Sequence, residues 1–161
     1  MSSPPNATVP RVLDTSALMS GRLFEGELFT TEDVLRELEK KKAMTSQLET
    51  FLALKVRVVS PSSEAMTEVR ARSEATGDAH RLSPTDVGLL AVASDLGATI
   101  MTDDYSIQNL AMEIGLSYEP VLERGIREVV RWRYRCSGCG KPFEEWIDPC
   151  PVCGAPLRTR R

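Results

Sequence analysis

Two Cys-x-x-Cys pairs, Cys136-Ser-Gly-Cys139 and Cys150-Pro-Val-Cys153, stand ten residues apart near the C-terminus of a 161-residue chain that has no other cysteine. Each pair sets two thiolates on one side of a tight loop, and two such loops brought together complete a tetrahedral four-thiolate shell for Zn²⁺. Gly140 and Gly154 follow the second cysteine of each pair, where a residue without a Cβ lets the backbone turn under the metal. Two disulfides or a redox-active pair are the alternatives. The first needs an oxidising compartment, and the second needs only one Cys-x-x-Cys. A shell of four thiolates leaves no open position for water, so the single zinc expected here holds structure rather than catalyses.

What precedes the cysteines has room for one core domain of ordinary size. No apolar run approaches the ~18 residues of a membrane span. The opening MSSPPNATVPR lacks both the basic start and the apolar stretch of an export signal, so the chain is expected in the cytoplasm. Its net charge of −3 conceals a division. Residues 1–123 hold 11 Lys/Arg against 19 Asp/Glu, whereas residues 124–161 hold 9 against 4. An Arg-rich terminal segment is the electrostatic footprint of contact with nucleic-acid phosphates, or else a solvated surface.

The acidic part alternates strands and helices. Val9–Leu13 and Glu27–Thr30 read as strands, and Thr31 caps a helix from Glu32 to Lys41 with Val34, Leu35 and Leu38 inward. A helical pattern through Leu48, Phe51 and Leu52 leads into the β-branched run 56–59, and a further helix covers Ser62–Glu74. The polar stretch 75–82 reads as a loop, and the only histidine, His80, which lies in it, reads as a surface residue. Ser83-Pro84-Thr85-Asp86 then has a cap, a proline at the first helical position and an acid three residues after the cap. That helix carries Leu89, Val92, Ala93 and Leu96 on one stripe to Gly97. Strand Ala98–Thr102 and a last helix with Ile107, Leu110, Ala111 and Ile114 follow. Such alternation predicts an α/β fold on a mostly parallel sheet with helices on both faces.

Sites in parallel α/β folds lie beyond the carboxyl ends of the strands, where Asp14, Asp103 and Asp104 stand. Asp86 starts its helix on the side of the buried stripe, and Glu37 flanks the buried face of the first long helix. Four carboxylates in one cleft raise each other's pKa unless a divalent cation neutralises them, and oxygen-only ligands suit Mg²⁺ or Mn²⁺. Each acid also has a plain structural use. Asp86 completes a capping box, Asp103 caps the next helix, Glu37 pairs with Lys41 four residues on, and Asp14 bonds the amides of Thr15 and Ser16.

Val12-Leu13-Asp14-Thr15-Ser16, Val34-Leu35-Arg36-Glu37-Leu38, Leu82-Ser83-Pro84-Thr85-Asp86 leading into Leu90-Ala91-Val92-Ala93, and Ile100-Met101-Thr102-Asp103-Asp104 together resemble the acidic signature of PIN-domain ribonucleases over Val9–Pro120. A PIN domain followed by a two-knuckle zinc ribbon is similar to the Nob (Nin-one-binding) endonucleases. Asp104-Tyr-Ser-Ile-Gln-Asn109 and the Arg-Trp-Arg-Tyr-Arg run before the first cysteine add to that likeness, and the small size looks archaeal. The resemblance implies a three-layer PIN-like fold at 9–122 after a flexible 1–8, a linker at 123–134, a zinc ribbon at 135–157 and a basic tail at 158–161. It implies a catalytic set of Asp14, Glu37, Asp86 and Asp104. The catalytic Mg²⁺ or Mn²⁺ falls to Asp14, Asp86 and Asp104, with Asp103 as a neighbour able to ligand or to cap. The implied reaction is hydrolysis of single-stranded precursor ribosomal RNA at the 3′ end of small-subunit (16S) rRNA. The implied partners are the small-subunit precursor and assembly-factor proteins. A non-catalytic RNA-binding assembly factor and a toxin-like PIN ribonuclease with another RNA substrate are the rival readings.

Arg131-Trp132-Arg133-Tyr134-Arg135 alternates cations with rings. In an extended segment the arginines share one face and the rings the other. Such a strip, with Lys141 and Arg158, pairs with phosphates and stacks on unpaired bases. Alternatively, Trp132 and Tyr134 anchor the ribbon onto the core. Phe143 and Trp146 are expected to pack the ribbon itself.

Overall fold

The computed structural model describes residues 9–122, 125–126, 128 and 129–160. The expected flexible segment 1–8 and Arg161 lie outside the described residues. Strands β1 (Arg11–Leu13), β2 (Leu28–Thr30), β3 (Val56–Val58), β4 (Thr99–Met101) and β5 (Tyr118–Glu119) form one parallel sheet in the order β3-β2-β1-β4-β5. The chain leaves β1 toward β2 on one side and returns to pair β4 on the other. The carboxyl end of β1 is therefore the point where strand order reverses.

Helix α1 (Thr15–Met19) follows β1 directly, and α2 (Glu32–Lys40), capped by the Thr31 hydroxyl, packs against it. Helix α3 (Ser46–Lys55) runs into β3, and α4 (Ser63–Thr76) ends at Gly77 in the left-handed region. Helix α5 (Pro84–Leu96) buries an unbroken run from Val87 to Ala93 because it has neighbours on every side: α2, α4, α6 (Tyr105–Glu113) and strand β1. Around it Leu13, Leu38, Ile100 and Leu110 are fully buried and close the core. The expected strands and long helices are present with ends shifted by a residue or two. Helix α1 and strand β5 are additions, too short to show a period.

The second module is a three-stranded antiparallel sheet, β6 (Arg133–Cys136), β7 (Pro142–Phe143) and β8 (Leu157–Arg160), in the order β7-β6-β8. Residues 158–160, expected in a basic tail, instead form β8 and pair along β6.

The join between the modules gives the loop after α4 a structural use and corrects the surface reading of His80. Asp78 is wholly buried, and its carboxylate accepts from Thr76 Oγ1 (2.7 Å), Asn109 Nδ2 (2.7 Å) and the Trp132 indole N–H (2.6 Å). Three donors satisfy a charge whose burial is otherwise costly. Asn109 also donates to the Val130 carbonyl at 2.8 Å, so the segment entering the second module is tied to α6. The Tyr134 hydroxyl donates to the Gly77 carbonyl at 2.8 Å. His80, rather than being a free surface residue, stacks on Trp146 at 4.4 Å between centroids and meets Tyr134 edge-on at 5.1 Å. Trp146 therefore belongs to the join, while Phe143 packs within the ribbon as expected.

Candidate active site

Asp14 is the N-cap of α1 at the carboxyl end of β1 and is only 5% exposed. Its Oδ1 accepts from the Ala17 amide (2.8 Å) and the Ser16 hydroxyl (2.7 Å), and its Oδ2 from the Thr102 hydroxyl at 2.5 Å. Thr102, at the end of β4, thus bridges the two central strands at the reversal point. Burial holds the Asp14 carboxyl above its ordinary range, against these hydrogen bonds, and the neighbouring Asp104 adds to the rise.

The other acids reach the same place from three helices. Glu37, half-buried on α2, accepts from Thr15 Oγ1 at 2.8 Å; among the described residues it forms no ion pair with Lys41. Asp86 Oδ2 accepts from both the amide and the hydroxyl of Ser83 at 2.8 Å, completing the capping box of α5. Burial raises its pKa as well, against those Ser83 bonds, and Asp104 and Glu37 push it further. Asp104 caps α6 through Oδ1, which accepts from the Ser106 (2.7 Å) and Ile107 (3.2 Å) amides. Asp104 thus acts on both Asp14 and Asp86, and Glu37 on Asp86, each acid held by a local bond.

Asp103 is placed differently from the expectation that it caps the following helix. Asp104 does that, while the Asp103 carboxylate turns to the returning chain and accepts from the Val121 (2.7 Å) and Leu122 (3.0 Å) amides.

Structural duty does not use up these acids. Asp86 Oδ1, Asp104 Oδ2 and Glu37 Oε1 accept no hydrogen bond from the described residues, and none of the four acids forms an ion pair there. Oxygen donors with unspent lone pairs and mutual repulsion are the donor type a hard divalent cation takes, although among the described residues only the four cysteines are already gathered closely enough to hold an ion. Residues missed by sequence reasoning include Thr15, Ser16 and Thr102, whose hydroxyls orient Glu37 and Asp14. Only their closeness to the acids in the chain could have pointed to them.

In the second module the four cysteine sulfurs lie within 4.8 Å of one another, and none is joined in a disulfide. Tetrahedral Zn–S bonds of about 2.3 Å need sulfurs about 3.8 Å apart. The pairs at 3.3 Å and 3.9 Å fit that shell. Gly140 and Gly154 both take positive φ under it, as the turn requires.

On this sheet Arg133 lies opposite Arg160 and Arg135 opposite Arg158, all four exposed on one face. Like charges directly opposite each other weaken a ladder. Tyr134, 2% exposed, donates to Gly77 and half-buried Trp132 donates to Asp78, contacts that belong to the anchoring alternative. Arg131 is paired with Glu113 at 3.0 Å, and Lys141 is exposed.

The family described as the PIN domain of ribonuclease matches residues 11–96, which include Asp14, Glu37 and Asp86 and stop before Asp104. The chain is 38% identical over 150 residues to "Endoribonuclease Nob1" of Pyrococcus abyssi, covering 91% of each protein. It is 39% identical over 160 residues to "Endoribonuclease Nob1" of Methanocaldococcus jannaschii, covering 93% of this chain and 77% of that one. It is also 39% identical over 145 residues to "Ribonuclease VapC1" of Thermoplasma acidophilum, covering 89% and 74%.

Proposed function

Because the chain belongs to the PIN-domain ribonucleases, among the Nob1 endoribonucleases, we propose that this endoribonuclease cuts single-stranded precursor ribosomal RNA at the 3′ end of small-subunit (16S) rRNA. The observation that carries the substrate reading is the likeness to Nob1 proteins over 91% of the chain. The arginine face of β6 and β8 supports it: two cross-strand like-charge pairs are a cost unless a polyanion lies over them.

In this reading Asp14, Asp86 and Asp104 hold Mg²⁺ or Mn²⁺, and the four cysteines hold one structural Zn²⁺. A divalent ion at the acids supplies a water of lowered pKa and offsets charge on the leaving oxygen. Thr102 and Ser16 keep the Asp14 oxygens aimed, and Thr15 fixes one oxygen of Glu37 so that Oε1 takes the proton of the attacking water. The Ser83 and Ser106 amides hold Asp86 and Asp104 by one oxygen each, leaving the other for the cation. The Arg133, Arg135, Arg158 and Arg160 face binds RNA phosphates, with Lys141 beside it.

The test is incubation of the purified protein with RNA spanning the 3′ end of small-subunit rRNA, with and without Mn²⁺, beside Asp14→Asn. One cut at the mature end, lost in the variant and without the ion, is expected. Equal cleavage by Asp14→Asn overturns the site. The likeness to a protein named VapC1 favours a second reading, a ribonuclease of another RNA, and a cut elsewhere would select it.

A further inference from the structure

We propose that Arg81 and Tyr105 form a nucleotide subsite beside the acidic cluster, Arg81 taking a phosphate that flanks the scissile one and Tyr105 stacking on its base. The inference rests on the chain acting on single-stranded RNA and specifies where the strand is gripped.

Arg81, Asp104, Tyr105 and Ser106 line an open cleft of about 440 Å³. That volume lies within the range of clefts that take small organic ligands. One of its four walls is the catalytic-cluster acid Asp104, so whatever occupies the cleft lies next to the reaction.

Arg81 is fixed from three directions. Its Nε donates to Ser106 Oγ at 3.1 Å, its Nη1 to Thr159 Oγ1 on β8 at 3.3 Å, and its guanidinium lies 4.0 Å from the centre of the Trp132 ring. These contacts use two of the five N–H donors. The other three find no partner among the described residues, and no carboxylate there pairs with the charge. A guanidinium ordered by stacking and hydrogen bonds, still exposed and still positive, loses little further freedom when it binds phosphate in its planar fork. Repulsion would keep a polyanion from the acids, and Arg81 supplies a stationary positive charge beside Asp104.

Tyr105 follows Asp104 directly, opens α6 and is 49% exposed. No ring or cation contact engages it among the described residues. An aromatic ring on this rim accepts the face of any unpaired base without reading its sequence. Residues 104–106 thus carry a cluster carboxylate, a stacking ring and the hydroxyl that holds Arg81. The distance between subsite and acids is set by one turn of backbone.

A mere strut between ribbon and core would use Arg81 in the same bonds, so the test must read the substrate phosphate. The zinc-loaded full chain with Mn²⁺ is given RNAs that each carry one uncharged methylphosphonate at successive positions around the cut. In the parent, one flanking position should raise KM about tenfold. In Arg81→Gln, KM on unmodified RNA should rise by a similar factor and that position alone should lose its effect. Tyr105→Ala should raise KM severalfold, and Tyr105→Phe should restore it. If Arg81→Gln keeps every methylphosphonate penalty of the parent, or if Tyr105→Ala retains the parental KM, the subsite is refuted. Should Arg81→Gln fail to fold, Arg81→Lys is read in the same way, and its loss of the fork should weaken the same single position. An RNA from the 3′ end that the parent leaves intact refutes the rRNA reading only. The series is then built on the RNA the parent does cut, and it still decides the subsite.

Discussion

Asp14 illustrates how one side chain trades stability for chemistry. Its pKa lies above the unfolded value because burial opposes the charge. Stability conferred by the neutral form is therefore complete below the ordinary Asp range and lost as pH rises through the raised folded value. Thermal melts of the protein without Mn²⁺ should show Asp14→Asn gaining on the parent as pH climbs through that window, with the gap closing in acid. Mn²⁺ at neutral pH should stabilise the parent and leave the variant unmoved; a pH-independent gap would show that the Asp14 charge carries no such cost. Thr102→Val removes the hydroxyl that donates to Asp14 Oδ2 and accepts from the Asp104 amide. Cleavage should fall about 10–100-fold, the usual effect of losing a group that orients a ligand, with RNA affinity kept. Asp14, Asp86 and Asp104 were legible as residues because each ends a strand or begins a helix, whereas Glu37, inside α2, was legible only from its place beside the buried face. The hydroxyls between them were not, since Thr102 and Asp14 lie 88 positions apart.

Among the elements, α5 was legible almost completely, because Ser83, Pro84 and Asp86 state a capping box locally and the structure forms it. The stretch after α4 was not. Its two apolar residues, Ala79 and Leu82, give no pattern, and the partners of Asp78 and Gly77 include Trp132 and Tyr134, more than fifty residues away. Gly77 takes φ +80°, and a Cβ there would collide with the Tyr134 hydroxyl. Gly77→Ala should therefore cost more than the ~1 kcal/mol of a left-handed alanine and loosen the ribbon. Limited proteolysis near residues 128–132 should be faster in Gly77→Ala; unchanged proteolysis and melting would mean that Tyr134 does not secure the join. The same long-range pairing explains why a strip that reads as alternating rings and cations divides its labour, with rings inward as anchors and arginines outward.

Across the whole molecule, an acidic core carries the carboxylates and a basic ribbon sits at its edge, joined through the buried charge of Asp78. Metal analysis of the purified chain should find one zinc per protein, and removing it should weaken RNA binding before it abolishes residual cutting of short RNAs. The ribbon sheet is built against itself: Arg133 opposes Arg160 and Arg135 opposes Arg158 on strands only four residues long. Whatever neutralises that face relaxes the sheet, and the sheet positions Cys136 opposite Leu157 at its end. Bound polyanion and retained metal are then linked by mass action. RNA should slow the loss of zinc to a competing chelator, more so at low salt, and the metal becomes a gauge of whether the enzyme is holding its substrate.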